Sequence, residues 1–337
     1  MPTLDIFRND AFSLRQLTAA VILMPFTPGK VGKLGLFREF GVTTPNIQIE
    51  EKNGVLSLVP TQPRGGQKNQ NKRGGRKMRS LNVPHLPIED QIRADEISGV
   101  RQFGTDNELA TVQSVVNERL AGMVTKLDVT VEHLRLGAVK GLILDADGSV
   151  IYDLFDEFGV QQAAEIDFDL DNQNPAPGAV KKKCNSVIRT IEDALGDGGI
   201  YDHIHAYAGP AFMDDLTAHV EVTESVKYQQ SQFLREGQVN RTFTWGDIVW
   251  EEYRGSVGGV DFVDANKAHF FPVGAPGLFE QPNAPAPFME TVNTIGLPRY
   301  AKIAADQKYD EYVDVFVQAN PLPYCTKPKT LVKGKRT

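Results

Sequence analysis

Between residues 109 and 134 the apolar side chains Leu109, Val112, Val116, Leu120, Met123, Leu127, Val131 and Leu134 recur every three or four positions. That is one stripe of helical period. Thr105 and Glu108 precede it with the spacing of a capping box, and Gly137 offers a stop, so a long helix is predicted over about 105–137. Upstream, Ile47, Ile49, Val55, Leu56, Leu58 and Val59 flank Asn53-Gly54, a dipeptide suited to a tight hairpin. A second hairpin is expected where Leu142-Ile-Leu144 and Val150-Ile-Tyr152 flank Asp145-Ala-Asp147-Gly148. The pattern then predicts a helix near Ala179–Leu195, a strand near Ile200–Tyr207 and a helix near Ala211–Val220. Alternation of Phe243, Trp245, Ile248, Trp250 and Tyr253 argues for further strands, and Tyr312–Pro321 reads as a last one. Three stretches lack period. Residues 1–45 read as an extended arm, Ala275–Pro298 as loop, and Lys327–Thr337 as a basic tail. The elements together give an α+β class with long extensions.

Length and composition add limits. A chain of 337 residues with 41% hydrophobic and 23% charged residues suits two soluble modules better than one core. The longest apolar run, Leu17–Phe26, is about half of a membrane-spanning helix, so no membrane association is expected. Cys184 and Cys325 form no framework and read as packed thiols.

Charge changes the picture more. The net charge is −7, yet Arg64, Lys68, Lys72, Arg73, Arg76, Lys77 and Arg79 crowd a glycine-rich stretch without an acid. Its composition predicts a mobile loop tip. Residues 141–180 hold no Lys or Arg but carry Asp145, Asp147, Asp153, Asp156, Glu157, Glu165, Asp167, Asp169 and Asp171. Three uses of the basic loop stand open: solvation, non-specific contact with nucleic-acid phosphates, and docking on an acidic protein surface. The absence of an aromatic side chain in the loop argues against stacking on single strands.

Catalytic signatures are missing. There is no phosphate-binding loop, dinucleotide fingerprint, nucleophile elbow or two-histidine zinc helix. His203 and His205 alternate on a strand without a third ligand nearby, and the Asp145–Gly148 turn lacks the later ligands of a calcium loop. Neither enzyme activity nor a cofactor or metal is expected.

Segments from one end of the chain to the other carry a resemblance. They include Arg64-Gly-Gly66, the Asp145–Val150 turn, His205-Ala-Tyr-Ala-Gly209, Phe243–Gly255, Ala265–Gly274, Glu290–Thr294 and Gln318–Pro323. In number and order the chain resembles the lambda-type major capsid proteins of tailed phages, capsid protein family E, with the Hong Kong 97-type fold. That resemblance implies an N-terminal arm at 1–45, an extended loop at 46–100 and a peripheral domain with its spine helix at 101–175. An axial domain at 176–225, a peripheral return at 226–290 and an axial end with tail at 291–337 complete it. It further implies hexamers and pentamers in an icosahedral shell around double-stranded DNA, assembled in the host cytoplasm, with a portal and a decoration protein as partners. Because the arm, loop and helix fill residues 1–137, a separate scaffold protein is expected rather than a cleaved scaffold domain. Lys68, Lys72 and Lys77 could serve a covalent cross-link of the kind some relatives form, but no motif marks an acceptor, and none is expected. In this fold the extended loop lies across an adjacent subunit, so the seven cations are expected to dock on Asp145, Asp147, Asp153 and Asp156 of a neighbour.

Overall fold

The computed structural model describes residues 13–24, 29–52, 76–93, 96, 112–172, 174–196, 199–225, 242–257, 260–306 and 311–337. Helices are α1 (Leu14–Leu23), α2 (Lys30–Lys33), α3 (Val112–Lys140), α4 (Leu154–Phe158), α5 (Ala179–Leu195) and α6 (Pro210–Ala218). The strands of the first half are β1 (Arg38–Gly41), β2 (Asn46–Lys52), β3 (Arg76–Asn82), β4 (Leu86–Arg93), β5 (Leu142–Leu144), β6 (Val150–Asp153) and β7 (Ile166–Asp167). There follow β8 (His203–Ala208), β9 (Thr242–Trp245), β10 (Ile248–Glu252), β11 (Ser256–Val257), β12 (Val260–Asp261) and β13 (Lys267–Val273). The last are β14 (Phe279–Asn283), β15 (Tyr300–Ala305), β16 (Tyr312–Ala319), β17 (Tyr324–Cys325) and β18 (Val332–Lys335). The chain divides into two compact units, one of residues 1–46, 82–135 and 280–323, the other of 47–81, 136–279 and 324–337.

In the first unit β15, β16 and β4 form an antiparallel sheet. Val315, Val317 and Ala319 alternate inward along β16 and pack in one core with Val116, Leu120, Met123 and Leu127 of α3. Leu17 and Val21 of α1 complete this core, so residues 14–23 are helical rather than extended. Ser13 caps α1, and its buried positions recur at helical spacing, a signal outweighed in the sequence by the prolines and glycines that follow. β1 pairs in parallel with β14, Arg38 opposite Glu280, so part of the expected 275–298 loop is strand.

The second unit is built on a six-stranded sheet in the order β7–β18–β13–β8–β10–β9. Val180, Cys184, Val187 and Ile191 of α5 and Phe212, Met213 and Leu216 of α6 bury against it. Trp250, on β10, packs edge-on to Phe270 at 5.3 Å and Phe168 at 6.0 Å and stacks on Phe212 at 5.9 Å. The expected basic tail is part of this sheet: β18 buries Val332 and Gly334 and pairs with β13. A Cβ on Gly334 would stand 2.9 Å from the Phe270 ring and 3.0 Å from that of Phe168, so only glycine lets the strand approach.

The long helix runs past its expected end. Gly137 sits inside it, where a Cβ would lie 2.9 Å from the Leu142 carbonyl oxygen; the stop is Gly141, at φ +83°. Its start at Thr105 and the Asn53-Gly54 turn lie outside the described residues. β2 pairs with β3.

Candidate inter-subunit contact regions

Arg64, Lys68, Lys72 and Arg73 lie outside the described residues. Arg76, Lys77 and Arg79 belong to β3, so the last part of the basic stretch is strand rather than loop tip. Arg79 turns to its own chain: Nη2 donates to the Phe158 carbonyl at 2.7 Å, and the guanidinium lies 5.2 Å from the centre of the Phe158 ring. That carbonyl is at the C-terminus of α4, where a cation is favoured.

The acidic stretch separates into two groups. Asp145 and Asp147 form the turn between β5 and β6, with Ala146 N–H donating to Asp145 at 2.7 Å and Ser149 N–H to Asp147 at 2.8 Å. Hydrogen bonds from Ser149 hold the exposed Asp147 carboxyl below its usual range. Asp153 is the N-cap of α4, accepting from Phe155 N–H at 2.9 Å and Asp156 N–H at 3.4 Å. Asp156 stands exposed in the first turn of the same helix. Among the described residues Asp145, Asp147 and Asp156 have no cationic partner.

Further along, the acids meet cations of the same chain. Glu165 pairs with Lys267 at 2.7 Å and Lys333 at 3.8 Å, and Asp167 with Lys335 at 2.8 Å. The Lys335 ammonium holds the Asp167 carboxyl below the ordinary range, and the carboxylate in turn raises Lys335. The lysines of the supposed tail thus answer part of the acidic run within the sheet.

Sequence reasoning missed a set of ionic contacts in the first unit. Asp128, Glu132 and Arg135 are spaced along one face of α3, beside its apolar stripe, and all three are buried. Asp128 accepts from Arg299 at 2.5 Å, and Arg299 also donates to the carbonyls of Val21 at 3.2 Å and Met24 at 3.4 Å. Glu132 accepts from the amides of Val31 at 2.7 Å and Gly32 at 3.0 Å, in the first turn of α2. Arg135 donates to Glu39 at 2.5 Å and Gln281 at 2.7 Å. A cavity of about 300 Å³ lies beside these groups, lined in part by Met24, Leu127, Val131 and Pro298. The available signal was the spacing of Asp128, Glu132 and Arg135, which on most helices marks a solvated face.

No metal cluster of His, Cys, Asp or Glu occurs among the described residues. His203 and His205 do share a face, their rings 6.0 Å apart, but His205 meets Glu251 at 3.2 Å and packs on Tyr207 and Phe271. Cys184 and Cys325 are buried, and burial pushes both thiols up to about 12. No helix among the described residues is long and apolar enough to cross a membrane.

Comparison with known proteins gives these regions their context. The major capsid protein of Salmonella phage Felix O1 is 30% identical over 356 aligned positions, which cover 95% of each chain. That of Pseudomonas phage KPP10 is also 30% identical, over 96% of this chain and 97% of its own. In fold, the chain is similar to the putative capsid protein of an E. coli CFT073 prophage, with a TM-score of 0.55 at 13% identity over 100% of this chain and 99% of that one. The mature capsid protein of bacteriophage PhiM1 gives 0.51 at 11% identity over 89% and 85%. The fold is therefore the α+β Hong Kong 97 type. Nothing in the comparison supports the alternative of a non-specific nucleic-acid-binding protein. Residues 13–336 match the family described as phage major capsid protein E, and with both relatives matching almost end to end the chain belongs to that family, whose members form the capsid shell of the virion.

Proposed function

We propose that copies of this chain form the hexamers and pentamers of an icosahedral shell around double-stranded DNA, with docking between copies steered by the basic stretch 64–77 and the acidic turn at 145–156. Its role there is architectural, without a catalytic step, alongside a separate scaffold protein, a portal and a decoration protein. One observation supports the docking partner. Asp145, Asp147 and Asp156 stand exposed without a cation among the described residues, whereas Glu165 and Asp167 are matched within their own sheet. Each exposed pair contributes only about 0.2–1 kcal/mol, but a closed shell repeats the contact at every subunit.

The local geometry also selects the residues to test. Arg79 is engaged with Phe158 and Asp153 caps α4, so changing either would disturb the fold of its own chain. Lys72, Arg73, Arg76 and Lys77 changed together to Glu should abolish shells seen by electron microscopy while the subunit stays folded. Adding Asp145→Lys, Asp147→Lys and Asp156→Lys to that chain should restore part of the assembly. Shells formed by the four-fold reversal with unaltered salt dependence would overturn electrostatic docking. For the scaffold, the intact mass of the chain from mature heads should show no large N-terminal loss.

A further inference from the structure

The short 3-10 helix Met289–Thr291 and the segment after it leave large apolar side chains exposed. Met289 is 92% exposed, Val292 60% and Ile295 66%, with Leu297 at 38%. Hydrogen bonds hold its backbone in place. Thr291 is buried, and its hydroxyl donates to the Ala286 carbonyl at 2.5 Å. The Thr294 hydroxyl donates to the Thr291 carbonyl at 2.7 Å, Gly296 N–H to the Val42 carbonyl at 2.8 Å, and Leu297 N–H to the Tyr300 hydroxyl at 2.8 Å. A loop held in this way presents its apolar side chains without an ordering cost on contact. Several large apolar groups exposed within nine residues are the composition of an interface, not of a solvated loop.

The edge of the patch suggests its occupant. Glu290, exposed, and Lys302, half-buried, lie 3.3 Å apart, with the Lys302 ammonium 5.0 Å from the centre of the Phe288 ring. An apolar centre bordered by one acid and one base matches a rotated copy of itself: apolar meets apolar, and Glu290 of each copy can exchange Lys302 partners. Members of this family form a shell of many copies, so the partner with this chemistry is present at every contact.

We propose that the loop 289–297 is a self-complementary contact between copies of this chain, closed by Met289, Val292 and Ile295 and bordered by Glu290 and Lys302. The proposal rests on self-assembly and is independent of the charge docking argued above. A change of Met289, Val292 and Ile295 together to Asp should leave the full-length subunit folded, by circular dichroism and melting temperature, and raise the concentration needed for assembly at least tenfold. Because apolar contacts are not screened, that loss should persist at every salt concentration, unlike a loss caused by reversing the basic stretch. Val292→Cys supplies the positional test, since both native thiols are buried. Mild oxidation of assembled shells should link copies into a disulfide dimer that unassembled subunits do not give. Assembly of the Asp variant at the parent's concentration would overturn the proposal. So would blocked assembly with no Val292→Cys cross-link, which would assign the patch to a different surface or a different protein.

Discussion

In the unit built on the six-stranded sheet, Trp250 is enclosed by Phe168, Phe212 and Phe270, and the strands are joined by apolar area. In the unit built on β15, β16 and β4, α3 also reaches its neighbours through Asp128, Glu132 and Arg135. The sequence distances account for the contrast. The long stretch 136–279 supplies most of the aromatic unit, whereas the other is drawn from three stretches, 1–46, 82–135 and 280–323. Apolar burial is strong but not directional, so it tolerates small displacements of one stretch against another. A carboxylate bonded to two particular amides does not. Buried charges contribute little net stability after desolvation, and their best-attested use is to fix register. In this chain Asp128, Glu132 and Arg135 set where α1, α2 and β1 lie against the helix.

The largest expected effect breaks the aromatic side. Trp250→Ala should cost about 3–5 kcal/mol, because the ring is fully buried and its neighbours belong to separate elements that cannot all move in. Denaturant unfolding measures the loss. Hydrogen exchange should place it in β8, β10 and β13, with protection of α1 retained. Equal loss in α1 would show that the units do not differ in how they are held.

The ionic side is tested by a cycle. Arg299→Met should cost about 3 kcal/mol by leaving Asp128 buried without its guanidinium, and exchange should rise in α1, whose terminal carbonyls it also bonds. Asp128→Leu combined with Arg299→Met should recover most of the stability but not all the α1 protection. Full recovery of both would mean that the pair adds nothing to register.

Where the sequence could be read and where it could not follows the same division. The helix Ala179–Leu195, the Asp145–Gly148 hairpin and the β9–β10 alternation were legible because each is specified by its own residues. β18 was not. Its alternation is only four residues long, two of them lysines, and its partners are β13 and a two-residue strand far upstream. The same distance hid the parallel pairing of β1 with β14. Charge was legible by region: the cations of 64–79 and the acids of 145–171 stand out at once. Which acids are already neutralised was not, because Glu165 finds Lys267 only when the sheet forms. Asp128 and Arg135 escaped notice for a related reason, since nothing local distinguishes a buried charge on a helix from an exposed one.

The smallest effect sharpens the comparison at a point where the aromatic unit also buries ionisable groups. His269 lies on β13, opposite Tyr207 on one side and Lys333 on the other. Burial lowers its pKa to about 3, and the charges of Lys140, Lys333 and Lys267 add to the effect. Burial likewise lowers Lys140 to about 8, its ammonium donating to the Phe262 carbonyl. Unlike the paired charges of the first unit, these groups repel, so His269 stays neutral in the fold. The sign follows from that. Above the unfolded value of about 6.5 both states are neutral and His269 costs nothing, whereas between 6.5 and 3 the unfolded chain takes up a proton that the folded one refuses. Stability is therefore lost as pH falls through that window, by at most about 1.4 kcal/mol per pH unit. His269→Asn removes the titration while carboxylate contributions cancel in the difference, so the stability gap between parent and variant should narrow or reverse steadily from pH 6.5 downward. Lys140→Met should raise the His269 pKa seen by NMR and shorten the window from its acid end. A parent and His269→Asn variant with parallel stability profiles from pH 6.5 to 4 would show that the ring is protonated in the fold, and that a counter-charge reaches it there as one reaches Arg299 in the other unit.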